Sequence, residues 1–395
     1  MIWKLLRLPL VPLALLCVAV MRLVYPWLHI RCGNFISHRI GHLIGNTSVY
    51  LAERRAGMHK SIDLFAHHGE ICNATAAKLV SRALLVDPTR FLLLVILCNK
   101  LFQGWQRHDV GAGNWDRDVT NSQEKYPPQF NFSAKEEAFG LNESRKMGIP
   151  AGAKWVCLIV RDDAYLPDLR HHGHRDSDID SYAEAVYALA ERGYYVIRMG
   201  AKVRKSLPVL HSRVIDYAWS GQRTDFMDVW LMARCAFCVS NGTGLDAVSV
   251  AFKRPICYVN YAPLGYLQTY NPRSLAIWKH HWKDGKRMGY EEIFKSGVFE
   301  APFADVFKAE GVELRDNTAG EILDVVLEMA DRDDGSFDFS YTFQNEVFWR
   351  SYPRKDSAFT NRPMHGEIRM RIGREFLRDY ENNRGEREQG RLRLA

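Results

Sequence analysis

The first acidic residue of this 395-residue chain is Glu53. Residues 1–60 hold eight basic residues (Lys4, Arg7, Arg22, Arg31, Arg39, Arg54, Arg55 and Lys60) against that one acid. Their net +7 equals the formal charge of the whole protein, so residues 61–395 are electrically balanced. A general nucleic-acid binder spreads Lys and Arg over a docking face. This chain does not, which excludes nucleic acid as a partner. Disorder is excluded as well, because 47% of the residues are hydrophobic and 12% aromatic. There is no internal repeat and no low-complexity tract. No Gly-x-x-x-x-Gly-Lys-Ser/Thr occurs, which argues against a P-loop NTPase. Gly242-x-Gly244 lacks the third glycine of a dinucleotide fingerprint. The eight cysteines show no scaffold spacing, and Cys235-x-x-Cys238 has no second pair, so buried thiols and a reducing cytosol are expected.

What is present begins with an apolar front end. Leu8 to Met21 carries no charge and is flanked by Arg7 and Arg22. Fourteen helical residues span about 21 Å, short of a hydrocarbon core of about 30 Å. Pro9, Pro12 and Pro26 interrupt any longer helix. The expectation is a monotopic anchor on an anionic membrane surface, with Lys4, Arg7 and Arg22 on headgroups and Trp3 and Trp27 at the interface. A helix packed on the protein's own core, and a true span or signal, stay open.

The body alternates short apolar runs with amphipathic ones, the rhythm of an α/β protein. Strands are expected at 28–32, 61–67, 155–160, 194–198, 236–240 and 255–260. Helices are expected at 46–57, 73–84, 89–101, 133–146, 181–192, 224–232, 245–252 and 318–330, with a last one near 366–383. Residues 104–132 have no period and read as a substrate loop or a connection. The sequons at Asn46 and Asn241 read as capping chemistry. The expected division is 1–30 (membrane-associating), 31–148 (acceptor side), 149–332 (nucleotide-sugar side) and 333–395 (tail with a docking helix).

In an open α/β sheet, ligands bind beyond the carboxyl ends of the strands. Three such ends stand out: Arg161-Asp162-Asp163-Ala164-Tyr165, Arg198-Met199-Gly200, and Ser240-Asn241-Gly242-Thr243-Gly244 opening a helix with Asp246 in its first turn. Two arginines and a glycine-rich helix start suit a diphosphate. Each piece also has a plainer reading: an ion pair for Arg161 and Arg198, a tight turn for the glycines, a dipole-compatible residue for Asp246. His171, His172 and His174 with Asp176, Asp178 and Asp180 read as a substrate loop and helix cap, not a metal site. In the first half, Arg39-Ile-Gly41-His42 is another strand-to-helix glycine turn. His42 is the candidate base for an acceptor hydroxyl, or else a capping or buried histidine.

Taken in order, Arg39-Ile-Gly-His-Leu43, Arg161-Asp-x-x-Tyr165, His174-Arg-Asp-Ser-Asp178, Gly193-Tyr-Tyr-Val-Ile-Arg-Met-Gly200, Gly242-Thr-Gly-Leu245, Arg254-Pro-x-x-x-Val-Asn260 and Asn317-Thr-x-x-Glu-Ile322 resemble a family of bacterial glycosyltransferases. That family is of GT-B type and accompanies surface-polysaccharide and lipopolysaccharide gene clusters. The resemblance covers about residues 30–330. It departs at Ser240-Asn-Gly-Thr-Gly244, where a Gly-Thr-x-Ser-Gly type of loop is expected. It implies an α/β, GT-B-like fold: two Rossmann-like doubly wound domains facing a cleft, here with an N-terminal apolar helix. It implies a metal-independent enzyme without cofactor, moving a sugar from a nucleoside diphosphate sugar to a lipid-linked or other surface glycan. The expected place is the cytoplasmic face of the inner membrane, peripheral or monotopic. Arg161, Arg198 and Asn241–Gly244 would hold the diphosphate, Tyr165 and His174 would line the donor side, and Asp162, Gly200 and Asp246 complete it. Arg39, Gly41 and His42 would face the acceptor. A nucleotide-sugar epimerase of the same fold, and a non-catalytic glycan-binding or scaffold subunit, remain alternatives.

Overall fold

The computed structural model describes residues 8–111, 117–164, 170–337, 343–358 and 361–382. The chain folds into two units, 1–133 and 134–395.

The first unit is built on a four-stranded parallel sheet. Its strands are β1 (Ile30–Ile36), β2 (Ile62–His68), β3 (Leu85–Asp87) and β4 (Asp109–Gly111), in the order β3-β2-β1-β4. The main helices beside them are α1 (Val11–Val24), α2 (Thr47–Arg55), α3 (Ala74–Ala83) and α4 (Phe91–Asn99). Asn73 caps α3, its side chain accepting from Ala76 N at 2.9 Å. The helix read from residue 46 instead begins as a π-helical turn, Gly41–Asn46, that runs on into α2. Asn46 therefore sits inside the turn and makes no side-chain cap. The core packs Phe35 on Phe65, 4.8 Å between ring centres. Beside them Asp63 is fully buried and held by Arg31 Nε at 2.8 Å, Arg31 Nη2 at 2.6 Å and the Tyr50 hydroxyl. Burial alone would raise the Asp63 pKa, but these partners hold it below the ordinary carboxylate value. One of the eight front-end cations is thus occupied inside the fold.

The second unit carries a seven-stranded, wholly parallel sheet. Its strands are β5 (Trp155–Ile159), β6 (Tyr195–Met199), β7 (Val214–Ile215), β8 (Phe237–Ser240), β9 (Ile256–Tyr261), β10 (Leu275–Trp278) and β14 (Arg371–Ile372). Read across the sheet, β7-β6-β5-β8-β9-β10 is the 3-2-1-4-5-6 order of a doubly wound dinucleotide-type fold, with β14 added beyond β10. A small antiparallel sheet joins β11 (His280–Lys283) to β12 (Lys286–Arg287) and β13 (Val312–Arg315). The main helices are α5 (Ala134–Lys146), α6 (Ala183–Glu191), α7 (Asp225–Arg234), α8 (Asp246–Ala251), α9 (Ala319–Asp334) and α10 (Phe343–Ser351). Thr224 caps α7, and Thr318 with Glu321 forms a reciprocal capping box on α9. The helix expected from 181 is preceded by a short 3-10 turn, which Asp178 caps by accepting from Asp180 N.

Two expected boundaries are corrected. Helix α5 belongs to the second unit, not the first. Its Glu137 accepts from Trp230 Nε1 at 3.0 Å and pairs with Arg234 on α7. Gly140 lets the helices close, since a β-carbon there would lie 2.2 Å from the Trp230 ring. Residues 333–395 are not a separate tail either. They supply β14 and a helix at 374–382, whose Phe376, Leu377 and Tyr380 are buried. Trp278 Nε1 donates to the Tyr380 hydroxyl at 3.1 Å. All eight cysteines are free, and Cys157, Cys235, Cys238 and Cys257 are buried in the second unit.

Candidate functional site

In the 3-2-1-4-5-6 order the chain reverses direction across the sheet between its first and fourth strands, and ligands bind beyond the carboxyl ends at that point. Here those strands are β5 and β8. Arg161 follows β5, and Asn241-Gly242-Thr243-Gly244 follows β8. Fully buried Asn241 bridges the two: its Oδ1 accepts from Arg161 N at 3.1 Å, and its Nδ2 donates to Arg175 O at 2.8 Å. One side chain thereby fixes the loop after β5, the loop after β8 and the 170s segment. Gly242 has φ +82°, and a β-carbon would meet the Tyr261 ring at 2.7 Å. Only glycine satisfies both conditions.

Asp246 closes this turn. It is buried; Ser240 Oγ donates to its Oδ2 at 2.8 Å and Thr243 N at 2.9 Å. Burial pushes its pKa up to about 6. Its Oδ2 is committed to shaping the loop. Helix α8, which the turn opens, has only six residues. Any anion here therefore relies on side chains and turn amides more than on a helix dipole.

The expected arginines divide sharply. Arg161 Nε donates to Asp176 Oδ1 at 2.9 Å, an ion pair at the rim of the site. Arg198 is 1% exposed. Its Nη1 donates to Lys205 O at 2.6 Å and lies 3.4 Å from Asp216 Oδ2. These bonds brace the loop after β6, while its Nε is buried without a partner and the residue itself lines a cavity. A cavity of about 370 Å³ opens above it, lined by Asp162, Asp176, Asp178, Arg204 and Lys205. The surface cations there already have partners, since Lys205 pairs with Asp178 at 2.7 Å and Asp180 at 2.5 Å, and Arg204 with Asp163. Asp162 accepts from Ala164 N and Arg204 N, tying the loops after β5 and β6. Gly200 lies half-buried between Val203 and Ala218.

The residue that sequence reasoning passed over is Arg175. Its carbonyl is held by Asn241, its Nε is buried without an acceptor, and burial lowers its pKa. Among the described residues no carboxylate lies within ion-pair distance of its guanidinium. The Thr243 hydroxyl is likewise buried without a partner. Lys279, just after β10, is the other overlooked cation, but it is bound to Asp176 O at 2.5 Å and Asp316 Oδ1 at 2.7 Å. His174 is buried against the Phe307 ring, 5.4 Å between centres, and burial drives its pKa down to about 3, so it is neutral. His171 and His172 pack on Phe303. Among the described residues no three His, Cys, Asp or Glu side chains gather as a metal set. Tyr165 lies outside the described residues.

At the corresponding edge of the first unit, the π-helical turn carries Gly41 and half-buried His42, with Arg39 exposed before it. His42 Nδ1 lies 3.4 Å from Asn46 Nδ2. The ends of β1 and β2 add Ser37 and His67, both buried, joined Oγ to Nδ1 at 2.9 Å. Burial and Arg90 lower the His67 pKa.

No known protein family and no curated protein matches the chain. Solved structures do. The chain is similar to E. coli ADP-heptose lipopolysaccharide heptosyltransferase II, at 15% identity and TM-score 0.39, over 59% of this chain and 86% of that one. It is similar to the iron-containing dodecameric glycosyltransferase TibC of enterotoxigenic E. coli H10407, at 14% identity and TM-score 0.42, over 77% and 79%. A glycosyl transferase family 9 structure from Veillonella parvula follows at 11% identity and TM-score 0.37, over 64% and 86%. At these identities and scores the likeness assigns no activity, substrate or residue role.

Proposed function

We propose that the second unit binds the diphosphate of a nucleoside diphosphate sugar at the β5/β8 reversal point, and that the protein transfers the sugar to a hydroxyl of a surface glycan acceptor. The observation that carries this reading is Arg175. Arg175 is half-buried beside the glycine turn and its buried Nε has no acceptor, an unsatisfied donor that is costly unless an anion completes it. A diphosphate would accept from Arg175, from Thr243 Oγ1 and from the turn amides, with Arg161 at the rim. Such charge-assisted bonds also stabilise the leaving diphosphate as the glycosidic bond breaks. Cationic side chains suffice for that task, and the reaction is read as metal-independent.

His42 is proposed as the base for the acceptor hydroxyl. Asn46 Nδ2 faces Nδ1 as a donor, which leaves the ring proton on Nε2; acting as a base through Nε2 requires the Asn46 amide to turn, so that its Oδ1 accepts from Nδ1–H.

The test is thermal stabilisation and calorimetric binding with ADP and UDP in the presence of EDTA. Stabilisation by at least one is expected. Arg175→Ala should weaken binding about 10- to 100-fold, the loss of one or two charge-assisted hydrogen bonds. A folded protein stabilised by neither, or an Arg175→Ala variant that binds as well as wild type, sinks the reading. Conversion of the sugar nucleotide alone, followed by NMR without acceptor, would establish the epimerase alternative instead.

A further inference from the structure

Helix α1 is apolar on two sides. Ala14, Val18 and Met21 are buried against Leu92, Val95 and Ile96 of α4. The helix is therefore part of the first unit's core and cannot act as a detached anchor. The opposite stripe, Leu13, Leu16, Val20 and Leu23, stands exposed at helical spacing, and Leu23 is 73% and Trp27 84% exposed. Helix α4, FLLLVILCN, has no polar face until Asn99. It exposes Leu97, and the chain beyond it exposes Leu101 (77%) and Phe102.

Arg22 brings these two ends together. Its Nη1 donates to Gln103 O and its Nη2 to Asn99 Oδ1, each at 3.1 Å, and its guanidinium lies 5.1 Å from the Phe102 ring centre. Arg22 thereby ties together two apolar-exposing segments about 75 residues apart in sequence. Exposed apolar surface of this kind marks interaction sites. Its charge is of one sign. No acid occurs from Met1 to Ala52 or from Pro88 to His108. Exposed Lys100 and Arg107 lie over the rings of Trp105 (5.3 Å) and Tyr25 (4.8 Å), a cation-aromatic rim of the sort found at lipid interfaces. Among the described residues no helix is long and apolar enough to cross a membrane.

We infer that α1 and the C-terminal end of α4 form a folded platform that seats on the surface of an anionic lipid bilayer, with Leu16, Leu23, Trp27, Leu97 and Leu101 in the acyl boundary and Lys100 and Arg107 on headgroups. A second copy of the chain fits less well, because a symmetric contact would appose the same cations. This inference does not depend on the proposed sugar transfer.

The test is co-sedimentation of the full chain with phosphatidylcholine vesicles and with vesicles containing phosphatidylglycerol. Binding to the anionic vesicles, weakened by salt, is expected. The double variant Leu97→Glu/Leu101→Glu leaves α1 untouched and should bind at least about tenfold more weakly. Should that variant lose its circular dichroism, Lys100→Glu/Arg107→Glu serves in its place, with the same loss expected. Undiminished binding of a folded variant overturns the two-helix platform. So does equal binding to both vesicle types, or to neither. A lipid-free dimer abolished by Leu97→Glu/Leu101→Glu assigns the patch to a second copy instead.

Discussion

The two units place opposite chemistry on the same scaffold. Both sheets are parallel and both contain the 3-2-1-4 order. At the carboxyl edge of the second, the cations are drawn inward and mostly answered: Arg161 by Asp176, Lys279 by Asp316, Arg198 by Asp216. Arg175 is the exception. At the carboxyl edge of the first, Arg39 is exposed, and the buried or half-buried groups are imidazoles, His42 and His67. A strand order decides where a ligand sits, whereas the few residues after each strand decide what kind. One edge is suited to a fixed anion and the other to moving a proton.

Five substitutions sharpen or break that contrast. The largest effect is expected at His42. His42→Ala should lower kcat about 10²- to 10⁴-fold, the usual range for a lost base, with the Kd for ADP or UDP unchanged. A changed Kd with intact kcat would mean that this edge holds a ligand and does not transfer a proton.

Next comes the pair of arginines. Arg198→Ala strips a buried ion pair and should cost about 3–5 kcal/mol of stability by urea denaturation. The folded fraction should bind nucleotide normally. Arg175→Ala should do the reverse, leaving the urea midpoint equal or higher while weakening nucleotide. The same outcome for both variants would erase the distinction drawn between them.

Gly242→Ala forces a side chain into a left-handed position against Tyr261 and should cost about 1–3 kcal/mol. It should also loosen nucleotide binding, measured by calorimetry below the new melting temperature.

The smallest effect is a matter of pH. The folded pKa of Asp246, about 6, lies above its unfolded value near 3.8. Between those values the native state holds the extra proton. The stabilising contribution is therefore complete below about pH 4 and is lost as pH rises through 6. Asp246→Asn should flatten that fall in the urea midpoint. Asp228, also near 6, contributes in the same sense, and His174, depressed to about 3, in the opposite sense below pH 6.5. The difference between variant and wild type isolates Asp246.

Much of the second unit was legible in its sequence because its strands are continuous apolar runs and its helices carry marked caps. β5, β6, β8 and β9 fall within a residue or two of expectation, and the helices expected from 224 and 318 open at the caps Thr224 and Thr318. β10, β7 and the small antiparallel sheet were not anticipated. They are two to four residues long, too short to establish a period. The site was half legible. A glycine turn after a strand announces itself, and so does an arginine beside one. What cannot be read from spacing is which arginine finds a carboxylate. Asp216 reaches Arg198 from 18 residues away, while Arg175, in a histidine-rich loop, finds none. The front end shows the same limit: Leu8–Met21 reads as a run, but its partner α4 is known only from the packing.

Asn241 and Gly242 are adjacent, and an asparagine followed by glycine is the pair most prone to spontaneous deamidation. That reaction needs the glycine nitrogen to attack the side-chain amide. In the folded protein Gly242 N–H is engaged with Ser240 Oγ at 3.1 Å and the amide is held by Arg161 and Arg175. The fold therefore suppresses the chemistry at its own bridge. Conversion to aspartate would replace a donor facing the Arg175 carbonyl with a negative oxygen. Damage at this position would record how often the molecule has opened, and it would break the bridge between the loops after β5 and β8 in any copy that refolds.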